Sequence, residues 1–358
     1  MATKKLFFLF IIFLSMVGTK AYAYDIAVVN ADGVTIYYSF INDGQELEVS
    51  SSDYYYYISV LNIPKEISFS GKTYKVTSIG ELAFDYCSKL TSVTIPSSVI
   101  TIGYAAFEGC TSLGSIDIPN SVTTIGRNAF YGCNTLRSVT IPNSVISIGE
   151  SAFSGCAGLT SVIIEEGLTI ISEFCFGYCT ALSSINLPNS LVLIGNSAFF
   201  GCANLPSCII PNSVKTISRY AFYGCKHMTS MVIGSGCDSI SYNVFGECFY
   251  LDDVYCYAEK VPNTHSAVFG FSYVSYATLH VPTAALQAYK GSSTWSKFGN
   301  IVALTDSDPK PAGIKNVEGG RKSAIVYYNL DGQQFSMPCK GINIVKMNDG
   351  TTKKVVVR

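Results

Sequence analysis

Cysteine is the residue whose abundance most invites chemistry: the 358-residue chain carries 13 of them, against only 3 histidines. Such a set can form disulfides, ligate a metal or supply a nucleophile, and each use demands its own neighbours. Cys175 and Cys179 stand four apart, as paired metal ligands can. A zinc site needs four clustered ligands, however, and His227, His265 and His280 bracket no such cluster, so neither a metal nor another cofactor is expected. Catalysis is not expected either. Neither G-x-S-x-G nor H-E-x-x-H occurs, no glycine loop is built to cradle phosphate, and Asp252 and Asp253 read as solvated charges at a coil end. No catalytic residue is assigned, and the chain does not read as an enzyme.

The cysteines follow a spatial rule instead. Cys87, Cys110, Cys133, Cys156, Cys179, Cys202, Cys225 and Cys248 are 23 residues apart. Three residues ahead of each stands a phenylalanine, giving Phe84, Phe107, Phe130, Phe153, Phe176, Phe199, Phe222 and Phe245. A third column holds Ile79, Ile102, Ile125, Ile148, Ile171, Ile194, Ile217 and Ile240. Cys175 takes the place held by Ala83, Ala106 and Ala129, which makes it a core replacement. Three columns kept in step for eight cycles define an internal repeat.

Between the columns lies Leu90-Thr91-Ser92-Val93-Thr94-Ile95-Pro96, which returns as Leu113 to Pro119, Leu136 to Pro142 and Leu182 to Pro188. Apolar first, fourth and sixth positions predict a strand with the fourth and sixth turned inward. Proline ends the strand because it lacks an amide hydrogen, and the Asn-Ser that usually follows is turn chemistry. A unit this short closes no core alone, so neighbours must stack into a solenoid. Ten coils, caps included, would extend roughly 50 Å at the ~4.8 Å spacing of paired strands. The phenylalanine and cysteine columns are then core ladders. Stacked parallel rungs aim their thiols the same way, which suits the disulfide dihedral poorly, so most cysteines are expected to be free.

The unit "LTSVTIPSSVITIGYAAFEGC" resembles the BspA-like leucine-rich repeats over about residues 60 to 304. The expected fold is therefore a β-rich solenoid, a leucine-rich repeat array of about eight 23-residue coils with amino- and carboxyl-terminal caps, followed by a small β-domain. The resemblance implies a secreted or surface-exposed bacterial protein, often from Bacteroidetes, with binding or adhesion as its role. Glu165-Glu166-Gly167 and Gly234-Ser235-Gly236 replace Pro-Asn-Ser and predict local loop changes.

The flanks divide by composition. In residues 1–23, Lys4 and Lys5 precede the apolar run Leu6 to Leu14, and Ala21-Tyr22-Ala23 offers a cleavage site, which reads as a signal peptide cut near Ala23. Cleavage there removes Lys4, Lys5 and Lys20 but no acid, leaving 21 basic residues against 25 acidic ones, a net charge of −4. That diffuse acidity argues against nucleic acid as a partner. No later run is long and apolar enough to span a membrane. Residues 24–70 read as an amino-terminal β cap, in which two of Tyr54 to Tyr57 are buried by strand alternation. Residues 71–304 are the solenoid with its closing coil, and 305–313 are a polar, proline-bearing linker. Residues 314–358 read as a small β-domain with strands Ala324 to Leu330, Gly341 to Met347 and Lys354 to Val357, resembling secretion-sorting domains.

What remains for recognition is the outward strand face. Its third position is nearly all serine from Ser92 to Ser230, whereas its fifth varies. The candidate ligand-binding residues are Thr94, Asp117, Thr140, Asn186, Ile209, Val232 and Tyr255, with Arg137 beside them. The expected partner is a protein or glycan, host-derived ones included. The alternative is a structural envelope or spacer protein with no dedicated ligand.

Overall fold

The computed structural model describes residues 24–311 apart from 53, 54 and 56, together with the strands Ala324–Tyr328, Gln334–Phe335, Gly341–Met347 and Thr352–Val357. The expected signal peptide lies outside the described residues. Apart from Leu113 to Pro119, which is not a regular strand, the L-x-x-L-x-L segments form parallel strands whose register repeats the sequence period: Ser138 pairs with Ser161 and Ser161 with Ser184, and later Ser207 with Ser230 and Ser230 with Asp253. After each proline turn a two-residue strand builds a second parallel ladder, pairing Thr101 with Thr124, Thr124 with Ser147, and Thr216 with Ser239. In the strand Ser138–Ile141, Val139 and Ile141 are buried while Ser138 and Thr140 face solvent. The predicted solenoid is thus observed.

The interior is a column of rings. All eight phenylalanines are at most 1% exposed, and successive rings lie 5.0 to 5.8 Å apart within 20° of parallel. Offset-stacked aromatics at this distance are each worth about 0.5–1.5 kcal/mol beyond their burial. The ladder is longer than its sequence column. Phe269, 24 residues after Phe245, stacks on it at 5.7 Å, and Trp295 closes that end edge-on at 5.5 Å. At the other end Tyr55 covers Phe84 at 4.9 Å.

The thiol column has a role that smallness alone does not explain. Each cysteine of the 23-residue column from Cys110 to Cys248 directs its Sγ at the carbonyl of the phenylalanine one coil back, from Cys110 to Phe84 O at 3.2 Å through Cys248 to Phe222 O at 3.5 Å. The S–H donates weakly, but it serves a buried carbonyl that no water can reach. The described cysteines are free thiols, all buried.

Two stations per coil turn through left-handed backbone. One is the glycine of the A-F-Y-G-C motif, with φ of 69° at Gly132 and 72° at Gly224, where Tyr86, Tyr178 and Glu247 take φ of 53°, 58° and 54° in other coils. The other is never glycine: Leu82, Ala105, Asn128, Ser151, Phe174, Ser197, Tyr220 and Asn243 all have φ between 49° and 57°. Left-handed backbone costs an ordinary L-residue roughly 1–2 kcal/mol, and asparagine tolerates it best after glycine. Leu82 is partly exposed, so little packing offsets its strain. Leu82→Asn is expected to stabilise the protein by about 0.5–1 kcal/mol; a lower melting temperature in calorimetry would reject that.

The caps extend the same geometry. Thr35–Ile41 lies antiparallel between Ile26–Val29 and Glu46–Val49, and Glu46–Val49 then pairs in parallel with Lys72–Ile79, joining the cap to the second ladder. The first rung starts inside the segment read as cap, because Val60–Asn62 already pairs in parallel with Ser92–Thr94. Residues 55 and 57 show no strand alternation. Tyr55 is 1% exposed and Tyr57 87%, although they share parity, because Tyr55 and Ile58 donate turn hydrogen bonds to Ser52 O and Tyr55 O. Tyr54 and Tyr56 lie outside the described residues. At the far end Thr278–Val281 and Asn300–Ala303 complete the first sheet, with helix Leu286–Gly291 and Trp295 between them as the closing coil. The described tail strands number four rather than three and pair antiparallel, with Gln334–Phe335 as the addition.

Candidate functional site: the outer strand face

Parity decides what the first sheet offers to a partner. Inward positions such as Val93, Ile141 and Val162 are buried, which leaves the third and fifth positions outside. Thr94, Asp117, Thr140 and Asn186 are exposed at the fifth position of the first, second, third and fifth coils, and Arg137 is exposed at the second position of the third. Thr94 Oγ1 donates to Asn62 Oδ1 of the preceding rung at 2.6 Å, so the polar strip begins at the cap. The strip is shallow and built of short side chains, a surface for contact rather than for enclosing a small molecule.

The late coils differ. Val232, expected among the recognition residues, has 0% exposure despite its outward parity, and Ser184 of the serine column is only 6% exposed. Ile209 and Tyr255 flank Val232 in register and are half-buried. Downstream, the chain beyond Leu304 turns back beside this end of the face, against His280 and Tyr257. His280 Nε2 is 2.9 Å from Asp253 Oδ1 and its Nδ1 is 3.9 Å from Asp308 Oδ2. The His280 ring stacks on Tyr255 at 4.3 Å, and Tyr257 donates its hydroxyl to Pro309 O at 3.0 Å. Pro311 is buried, and strand Gln334–Phe335 runs beside Ser184–Asn186. Burial, reinforced by Asp253 and Asp308, pushes the Tyr255 phenol up to about 12, and Tyr257 likewise reaches about 12 through burial, Asp308 and Tyr255. Tyr255 thus lies beside the chain's own returning segment, with Val232 and Ile209 next to it in register, whereas the earlier coils keep exposed outward positions.

The substituted turns serve the stack. Glu166 accepts from the backbone amides of Asn189 and Ser190 one coil on, at 3.0 and 2.9 Å. Burial opposes its ionisation, but these hydrogen bonds hold the carboxylate below its usual range. Glu165 likewise accepts from the Asn143 amide at 3.0 Å. Among the described residues, no three His, Cys, Asp or Glu side chains gather as a metal site would require, and no helix is long and apolar enough to cross a membrane.

A parallel stack of 23-residue coils with a strand of L-x-x-L-x-L type on one face defines a leucine-rich repeat solenoid. The BspA type leucine-rich repeat region matches in six copies over residues 55–182 and 169–289, and the chain belongs to that family. No curated protein matches it. Among solved structures, a Treponema pallidum leucine-rich repeat protein is 27% identical, covering 47% of this chain and 87% of its own, with a TM-score of 0.41. A Bacteroides ovatus leucine-rich repeat protein is 22% identical over 75% of this chain and 98% of its own, with a TM-score of 0.34. A leucine-rich cell surface protein from Faecalibacterium prausnitzii is 17% identical over 80% and 96%, with a TM-score of 0.42.

Proposed function

We propose that this is a secreted or surface-displayed repeat protein that binds a protein, such as a host protein, through the open outer face of its earlier coils, without performing chemistry. The observation that supports the reading is a varied strip on a repeating frame: Thr94, Asp117, Thr140 and Asn186, with Arg137 beside them, change in charge and polarity and are exposed, while their inward neighbours stay aliphatic and buried. Exposed side chains freed from the core's demands are where specificity can be written. A shallow strip suits a protein surface better than a single sugar. Export rests on the amino-terminal run Leu6 to Leu14 with its Ala21-Tyr22-Ala23 site, and the tail strands act in sorting.

The test is immobilised host matrix proteins and glycans offered to the purified chain and to a triple variant, Asp117→Ala, Arg137→Ala and Asn186→Ala. Saturable binding to a protein that falls at least about tenfold in the variant, with unchanged melting, is the expected result. Equal binding by both proteins, or capture only by glycans, overturns it.

A further inference from the structure

One coil column breaks its own pattern on a different face. At the station two residues after the column isoleucine stand Glu81, Tyr104, Arg127, Glu150, Glu173, Asn196, Arg219 and Tyr242. Arg127 is answered one coil on by Glu150, at 3.8 Å. Arg219 is answered by Tyr242, and it makes no ion pair among the described residues. Its guanidinium instead borders a hollow of about 530 Å³ at the edge of the second ladder, walled by Tyr220, Tyr242 and His265, with Ser239, Ser241 and Asn263 as further lining.

The rings form a continuous run across three coils: Tyr220 meets Tyr242 at 5.3 Å and 85°, and Tyr242 meets His265 at 4.9 Å and 86°. Ser241, which lines the hollow, stands one residue after the column isoleucine, where Gly80, Gly103, Gly126 and Gly149 stand in earlier coils. No carboxylate lines the hollow.

We infer that this hollow binds an acidic oligosaccharide, a chain of uronate sugars, independently of the outer strand face. The apolar C–H face of a pyranose lies against tyrosine and histidine rings, the serine and asparagine side chains exchange hydrogen bonds with its hydroxyls, and Arg219 takes the carboxylate through its planar fork. A neutral sugar uses the rings but not the arginine. A protein partner finds too small a surface here.

Isothermal titration of the full mature chain with hexagalacturonate and with cellohexaose tests this. Wild type is expected to bind hexagalacturonate, more weakly as salt rises. Arg219→Gln should lower that affinity at least about tenfold and flatten the salt dependence while leaving any cellohexaose binding unchanged. Tyr242→Ala should abolish both, and the triple variant of the outer face should bind as wild type does. Arg219 is exposed, so its variant keeps the fold, and unchanged melting checks this. Failure of wild type to bind hexagalacturonate overturns the inference, as does equal binding by Arg219→Gln or preference for cellohexaose. Loss of hexagalacturonate binding in the outer-face variant would move the site to the strand strip and overturn it too.

Discussion

Raising the pH through about 9 to 11 is expected to unfold the solenoid in a steep, many-proton transition, because the thiols are held neutral inside it. Burial pushes Cys208, Cys237 and Cys248 up to about 12, burial aided by Asp85 does the same at Cys87, and burial takes Cys256 to about 11. In the unfolded chain a thiol titrates near 8.5. Below that value both states keep the proton and these groups confer no pH dependence. Above it the unfolded chain releases protons that the folded one retains, so each thiol subtracts about 1.4 kcal/mol per pH unit until its folded pKa is reached. Five such groups remove roughly 7 kcal/mol per unit, comparable to the whole stability of a typical domain. The raised Cys110 and Cys202 act in the same direction. Far-ultraviolet circular dichroism against pH measures the transition. Cys208→Val combined with Cys237→Val should shift its midpoint upward, since both thiols are buried and lie outside the hydrogen-bonded column. Native ellipticity that persists past about pH 11 would show that thiol burial does not limit stability.

The same columns show what the letters could and could not carry. Strand parity, the inward rings and the parallel register all follow from a period of 23, because a solenoid converts sequence spacing directly into angular position. The donor role of the thiols did not follow. Spacing places Cys110 three residues past Phe107, but only stacking shows that its hydrogen faces the carbonyl of Phe84. Phe269 escaped the ring column because one inserted residue makes its step 24, and the alignment of Tyr220, Tyr242 and His265 depends on that same offset. The left-handed station from Leu82 to Asn243 was hidden by its varied residue types, whereas the glycine station announced itself. Val232 read as exposed because parity is local, whereas its burial is set by tertiary packing that strand alternation does not carry. What the period dictates was legible. What depends on a thiol's rotamer, on a single insertion or on tertiary packing was not.

Phe153→Ala is expected to be the most damaging single core substitution outside the caps. The ring is fully buried and stacks on Phe130 at 5.0 Å and on Phe176 at 5.5 Å, both within 10° of parallel. Truncating a buried phenylalanine costs about 3–5 kcal/mol, and the two lost ring pairs add about 0.5–1.5 each. Each coil touches only its neighbours, so a gap here also weakens the coupling between the halves of the array. The expected result is a melting temperature lower by roughly 5–10 °C and a broader transition, since an array cut near its middle loses cooperativity. Hydrogen exchange should locate the damage, with protection falling first at Gly132 and Phe153, whose amides donate to the Ser154 and Cys175 carbonyls of adjoining coils. Phe153→Leu, which keeps most of the volume but not the stacked ring, should fall between the two and so separates cavity from stacking. A loss confined to the site, with the transition as sharp as in wild type, would mean that the coils cohere through their backbone ladders and that the ring column is filler rather than spine.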